Sequence, residues 1–485
     1  MDQPAIDGTA PCPPAASSTW PARCRSAATP VVLAGVCLGL LIMPTPEGLS
    51  LAGQRVLAVA AVAIGLWSSD LLPAGLTGML VVVLLVLLGG VPTLREALWG
   101  FAHPVAYFLI GVLTIGLAVL RSGLAERVAR GFLQRSRGRP RALYVQMLLT
   151  FPLLTCLLPS ATTRTGILIH VYEQALELGR VPRGAPLAKA IMLALNSVNR
   201  LASTVLLTGG ITPITAAALI GGISWTGWLV LMWVPYYVML AVASGLIYLL
   251  YRRGFGAVLP VPPLETPTAL SGKELRTIII TVGASLLWLT DAVHHWNPAI
   301  PALLAWICLL APGIGVLSWG EFERQLGWAN LFVLGSSLSL AQALISSGAA
   351  DWLAEFLVRH TPGSASQPLV VVVMLLLVAA PVRLLMPNIT GFLAMTIPIA
   401  MSIATSTGLN PIVCGLIMMI AGDAVLYYPA QSASSLVVYE HGHLTAPEIF
   451  RFGLWMTLVA YGVVLLIALP YWAAVGAPLV VQPGE

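Results

Sequence analysis

Charge is what this sequence has least of. Its 24 basic and 19 acidic residues make up 9% of 485 positions, against roughly a quarter in a soluble domain. With 58% hydrophobic residues and a mean hydropathy of +0.90, the chain cannot cover a water-facing surface of its size. That excludes a soluble enzyme, a nucleic-acid binder and a secreted disulfide scaffold. Lysine is nearly missing, with only Lys189 and Lys273. The net charge of +5 therefore bears on membrane topology and not on a nucleic-acid partner. No glycine-rich phosphate loop is present, so ATP-driven transport has no support. His170, His294, His295, His360, His441 and His443 form no HExxH or other metal motif, and His441 and His443 read as interfacial. Cys12, Cys24, Cys37, Cys156, Cys308 and Cys414 lack CxxC or ligand spacing and read as small buried hydrophobes. No metal and no cofactor are expected.

What is present is a succession of apolar runs, the pattern of an all-α polytopic membrane protein with about 11 transmembrane helices. Residues 1–29, rich in Pro, Ala and Ser, read as a disordered cytoplasmic N-terminus. Arg23 and Arg25 before an apolar run mimic a signal peptide, but no small-residue cleavage site follows, so the first helix reads as retained. Residues 30–100 supply leading scaffold helices, 101–251 a first repeat and 252–275 a Pro-rich cytoplasmic linker (Pro260, Pro262, Pro263, Pro267). Residues 276–322 read as further scaffold helices, 323–475 as a second repeat and 476–485 as a tail.

Each repeat contains two unusual segments. The pairs 142–158/164–178 and 367–385/391–406 are apolar arms split by short polar tips, Pro159–Arg164 and Pro387–Gly391. These spell re-entrant hairpins (142–178 and 367–406), since irregular backbone at that depth must be buried or line a wet cavity. The following spans, 186–222 and 410–441, are interrupted. The first is broken at Asn196–Arg200 and again at Thr208–Pro213, the second at Gly422-Asp423 and Tyr427–Ser435. Helices broken at corresponding places in two halves mark a transporter binding site. Gly111–Gly123 also matches Gly335–Gly348 with one insertion, and each is followed by an amphipathic stretch and then a hairpin.

Charge placement sets the orientation. With the N-terminus cytoplasmic, the arginines of 121–141 fall inside, while Arg55, Arg95 and Arg359 fall outside. An odd number of crossings separates the hairpins, so the repeats are inverted, and the C-terminus lies outside. Trp225, Trp228 and Trp233 fit an interfacial aromatic belt.

Helix N-termini at the midplane favour an anion, and free carbonyls favour a cation. The expected anion site is made of Ser160, Ala161, Thr162, Thr163 and Arg164 from the first tip, and Asn388, Ile389 and Thr390 from the second. Gln431 and Ser432 of the second break complete it. Ser197, Asn199, Arg200, Thr208, Gly209 and Asp423 form the expected cation-binding set. Arg164, Arg200 and Arg383 each cost a few kcal/mol in the membrane unless partnered, and a guanidinium fork matches carboxylate or sulfate. A structural pair with Asp423 or Glu173 is the alternative employment. Asp423 can bind a cation, take a proton or neutralise an arginine.

These features resemble the divalent-anion/sodium symporter family of the ion-transporter superfamily over about residues 50–475. Ser160-Ala161-Thr162 and Asn388-Ile389-Thr390 are similar to that family's Ser-Asn-Thr tips. Leu436–Gly442 is similar to its apolar-Val-Tyr run, and Thr208-Gly209-Gly210 to its first-half turn. The resemblance implies an elevator-type homodimer that holds sodium at a tip-plus-break site in each half and an anion between the tips. The departures are the Asn missing from the first tip, the Ser missing from the second, and Asn199-Arg200 in place of paired glycines. Arg164 or Arg200 then puts fixed positive charge where a sodium ion would sit, so that at least the first sodium site is lost or weakened.

The resulting expectation is a secondary active transporter in a bacterial cytoplasmic membrane. It carries a di- or tricarboxylate or sulfate-like anion and uses Na+ or H+ as coupling ion. A proton-coupled or exchange carrier lacking one sodium site is the nearest rival. A membrane-embedded enzyme on a lipid-linked substrate lacks an evident acid/base or nucleophile set, and two opposed dead-end hairpins disfavour a passive channel.

Overall fold

The computed structural model describes residues 28–69, 71–135, 138–158, 160–256, 269–360 and 367–481. The N-terminal stretch expected to be disordered lies, up to residue 27, outside the described residues, as do Pro159 and the linker prolines. Among the described residues the structure is helical, with a single isolated bridge between Leu409 and Val480. Eight helices are long and apolar enough to cross a membrane, from Leu51–Ser69 to Ala446–Ala474, and five shorter apolar helices accompany them.

The two inverted repeats are built from the same parts. Pro104–Ser122 and Ala329–Ser346 each run into a glycine with positive φ, Gly123 at +79° and Gly348 at +74°. The left-handed conformation turns the chain sharply into the amphipathic helices Leu124–Arg135 and Ala349–Arg359. The hairpins follow. Their first arms, Pro140–Leu157 and Pro368–Leu385, both start on a proline, which needs no N–H partner in the first turn. Their second arms, Ala161–Leu178 and Ile389–Thr407, start after Ser160 and Asn388. The tips are shorter than the sequence implies: Thr162, Thr163 and Arg164 already belong to the first turn of a helix, as does Thr390.

The broken helices then cross between repeats. Ile211–Ile220 packs on the second arm of the second hairpin, and Ala433–Glu440 on the second arm of the first. The earlier segments, Asn199–Thr204 and Pro411–Asp423, stay with their own hairpins. Burial of the apolar arms in this interlocked block, with Leu154, Phe151, Phe392 and Ile397 fully enclosed, holds the short polar tips at depth.

Candidate functional site

Each tip is closed by a side-chain cap. Ser160 Oγ accepts from the Thr163 amide at 3.2 Å and from Thr163 Oγ1 at 3.0 Å. Asn388 Oδ1 accepts from the Thr390 and Gly391 amides at 3.0 and 3.4 Å. These caps satisfy orphan donors at the helix starts and leave the positive ends of two helices at the tips. Thr162 is exposed, Ser160, Ala161, Thr163, Asn388 and Ile389 are half-buried, and Thr390 is buried.

Of the two interruptions expected in the first broken helix, the one at Thr208–Pro213 falls on the break and the one at Asn196–Arg200 does not. The helix continues there through a π turn, Ala194–Val198, into Asn199–Thr204, and parts only at residues 205–210, around the short 3₁₀ turn Leu207–Gly209. A Cβ on Gly209 would lie 1.7 Å from the Ser203 carbonyl oxygen, so only glycine permits this close return of the chain. Asn199 and Arg200 are therefore helical residues and do not stand in for break glycines. Thr208 and Gly209 are in the break and buried; Ser197, in the π turn, accepts from Asn196 Nδ2 at 3.1 Å. The second break follows Asp423 and passes through Pro429–Gln431.

The three membrane arginines have specific partners. Arg164, fully buried, donates from Nε to Asn199 Oδ1 (3.0 Å), from Nη1 to the Leu158 carbonyl (2.5 Å), and from Nη2 to the Asn199 carbonyl (3.3 Å) and Ser203 Oγ. Asn199 Nδ2 in turn donates to the Ala161 carbonyl and Thr165 Oγ1. Arg383, equally buried, donates from Nε to the Gly422 carbonyl at 2.9 Å and from Nη1 to the carbonyls of Met386 and Pro387. Its Nη2 has no partner. Leu158 and Met386 are the C-caps of the two first arms, so each guanidinium plugs the negative end of a hairpin arm and fastens it to the neighbouring broken helix. Arg164, expected among the anion ligands, has these donors turned into the protein.

Arg200 and Asp423 join the two broken helices. Arg200 Nη1 donates to Asp423 Oδ1 at 3.1 Å, while Thr204 Oγ1 and Tyr236 OH donate to Oδ2 at 2.7 and 3.1 Å. Arg200 Nε is buried without a partner. Asp423 thus neutralises an arginine, one of its three expected employments, and Arg383 is not its hydrogen-bonded partner. Gln431, expected among the anion ligands, is also committed: Oε1 accepts from the Tyr427 amide and Nε2 donates to the Arg383 carbonyl. Ser432 stays half-buried, 2.8 Å from Ser434 across their hydroxyls. Trp225 and Trp228 are buried rather than interfacial, and Trp228 Nε1 donates to the Thr204 carbonyl beside the first break. Trp233, by contrast, is exposed.

A cavity of about 700 Å³ opens beside the first tip, lined by Thr163, Gly166, His170 and Gln174 of the second arm and by Glu126 and Arg130 of the amphipathic helix. The sequence reading missed one polar cluster. Glu173 accepts from or pairs with His441 Nδ1 at 2.8 Å and His443 Nε2 at 3.3 Å, so the two histidines are not simple interface residues.

Comparison with known proteins decides the family. The model of the sodium:sulfate symporter transmembrane region matches residues 25–477. The chain belongs to the sodium:sulfate symporter family. Relatives within reach are distant. A membrane protein of Cupriavidus necator is 24% identical over 90% of this chain and 91% of its own length. The citrate/succinate antiporter of Escherichia coli K12 is 23% identical over 78% and 81%. The sodium-dependent dicarboxylate transporter SdcS of Staphylococcus saprophyticus is 22% identical over 90% and 90%. As a member of the sodium:sulfate symporter family the chain is a multi-pass membrane transporter of small anions, and not an enzyme.

Proposed function

We propose that this sodium:sulfate symporter relative exchanges small dianions, dicarboxylate or sulfate, across a bacterial cytoplasmic membrane without sodium. Arg164 and Arg383 stand in for the ions that the family resemblance implies. The observation that carries this reading is the pair of guanidiniums on the carbonyls ending the two first arms, each with a broken helix as second partner. A sodium ion at a tip-plus-break site needs such oxygens, and a guanidinium that donates to them takes its place. The idea of a displaced first sodium thereby extends to both halves, and Arg164 rather than Arg200 does the displacing in the first.

The local charge supports exchange. Around the tips and breaks three buried guanidiniums (Arg164, Arg200, Arg383) face one buried carboxylate (Asp423), and three minus one leaves two positive charges. A dianion between the tips balances them. An unloaded unit would carry both through the bilayer, at a few kcal/mol each, so the return journey favours a second anion. The unit that moves comprises the hairpins and broken helices, sliding in elevator fashion within a homodimer whose N-terminus is cytoplasmic and C-terminus outside. The anion lies between Ser160–Thr163 and Asn388–Thr390, with Ser432 and Thr208 at the walls.

Proteoliposomes test this. Uptake of labelled succinate or sulfate should be unchanged when external sodium is replaced by choline, and should fall at least about tenfold when the lumen holds no anion. Uptake that requires sodium would overturn the reading.

A further inference from the structure

The two cross-packed helix pairs differ in one respect. Ile211–Ile220 on Ile389–Thr407 contains no ionisable residue in either helix. The counterpart, Ala433–Glu440 on Ala161–Leu178, is tied by Glu173 to His441, the C-cap of the short helix, and to His443 two residues on. His443 is 4% exposed and its Nδ1 is buried without a partner, while the His441 side chain keeps 22% of its exposure. The His441 ring stands 5.8 Å from that of His170, which lines the cavity beside the first tip.

With Glu173 ionised, His441 donates through Nδ1 and His443 through Nε2, so the neutral tautomers leave His441 Nε2 and His443 Nδ1 bare. Only the first is on the ring that retains an opening to the exterior. The remaining charged groups on the surrounding elements have partners of their own, as Arg164 has in Asn199 and Ser203 and Arg127 in Glu274, or are exposed. Glu126 pairs with Arg130, and Lys189 with Glu448 at 2.5 Å. Glu177, Arg180 and Glu440 are exposed. Arg200 is held by Asp423 at the far end of the block.

We propose that Glu173, His441 and His443 form a proton-binding site in which His441 takes a proton on Nε2 and Glu173 balances the imidazolium. Histidine is the side chain whose charge changes in the physiological range, and a carboxylate in hydrogen-bond contact favours its charged form. The site ties the far ends of two helices whose near ends, Ser160–Thr163 and Ser432–Ser434, border the anion position. Protonation turns a neutral hydrogen bond into an ion pair there, and so sets the spacing of the two helix N-termini. This second role rests on the anion site proposed above; the proton site itself does not.

Ring NMR of the purified full-length protein, labelled at histidine and assigned with His170→Gln, His441→Gln and His443→Gln, reads the site directly. The His441 resonances should respond to pH, with a midpoint that moves in Glu173→Gln and is restored in Glu173→Asp. A His441 that does not titrate, or whose midpoint ignores Glu173→Gln, would overturn the proposal. Exchange of labelled sulfate, a dianion throughout the physiological range, should follow the same midpoint in proteoliposomes and lose its pH dependence in His441→Gln. A pH profile that His441→Gln leaves intact would remove the link to transport. The NMR measurement needs no transport, so a protein that proves sodium-dependent would leave the proton site standing. A silent His441 would remove the site with exchange untouched.

Discussion

The two hairpins place a guanidinium at the same point of their architecture and draw it from different arms. Arg164 comes from the second arm, four residues past the capping Ser160; Arg383 comes from the first arm, five before the capping Asn388. With the tips aligned, Phe392 occupies the position of Arg164 and is fully buried. What the halves share is therefore a charge in space, at the carbonyl end of the first arm, and not a residue in a column. The partners differ too. All three nitrogens of the first guanidinium have partners, a side-chain amide, two carbonyls and a hydroxyl, while the second meets only carbonyls and leaves Nη2 idle.

That inequality can be probed directly. Arg164→Gln should cost the most, because it strands Asn199, Ser203 and the Leu158 carbonyl together, and a buried polar group without a partner costs about 1–3 kcal/mol. Thermal unfolding in detergent should drop further for Arg164→Gln than for Arg383→Gln. If the guanidiniums replace ions, sodium chloride should raise the melting temperature of each variant above that in choline chloride and leave the parent unmoved. Equal losses for the two variants would break the contrast between the halves, and a sodium effect on the parent would break the substitution.

The breaks form a second contrast. The first depends on Gly209 having no side chain, the second on Gln431 bridging the Tyr427 amide and the Arg383 carbonyl. Gly209→Ala drives a methyl into the Ser203 carbonyl and should destabilise by about 3 kcal/mol or more, in the range of severe overpacking. Gln431→Ala forfeits two buried hydrogen bonds and should cost about 2 kcal/mol. Chemical denaturation in a fixed detergent would rank them, and the reverse order would mean that the first break relaxes more easily than its geometry implies.

The tip caps should show the smallest difference. Ser160→Ala and Asn388→Ala each remove one N-cap, worth about 1 kcal/mol, and the melting shifts should agree closely. A much larger effect at one tip would mark a contribution beyond capping.

Much of this fold is legible in the sequence. Long apolar arms flanking Ser160-Ala161-Thr162 and Asn388-Ile389-Thr390 give the hairpins, and Gly123 and Gly348 recur because both turns need positive φ. The site is less legible. The polar run Asn196–Arg200 reads as an interruption, yet those residues are polar because they face Arg164, Ser197 and Asp423 inside a continuous helix. Composition registers polarity; it does not say whether the backbone or a distant side chain uses it. The true break is the second interruption read from the sequence, at Thr208–Pro213, where Gly209-Gly210 let the chain turn back. Glu173 and His441 are 268 positions apart, and nothing local to either names the other. Trp228 likewise reads as a belt residue until a carbonyl freed by the break is seen to need its indole N–H.

The near absence of lysine has a practical side. Lys189 is tied to Glu448 and only partly open, whereas Lys273 stands exposed in the first turn of Gly272–Leu289, outside both hairpins and both broken helices. An amine-directed fluorophore at moderate pH therefore has a single open side-chain target, on a helix outside the unit proposed to move. Paired with a thiol probe engineered on a hairpin, it supplies the fixed end of a molecular ruler in the otherwise native chain.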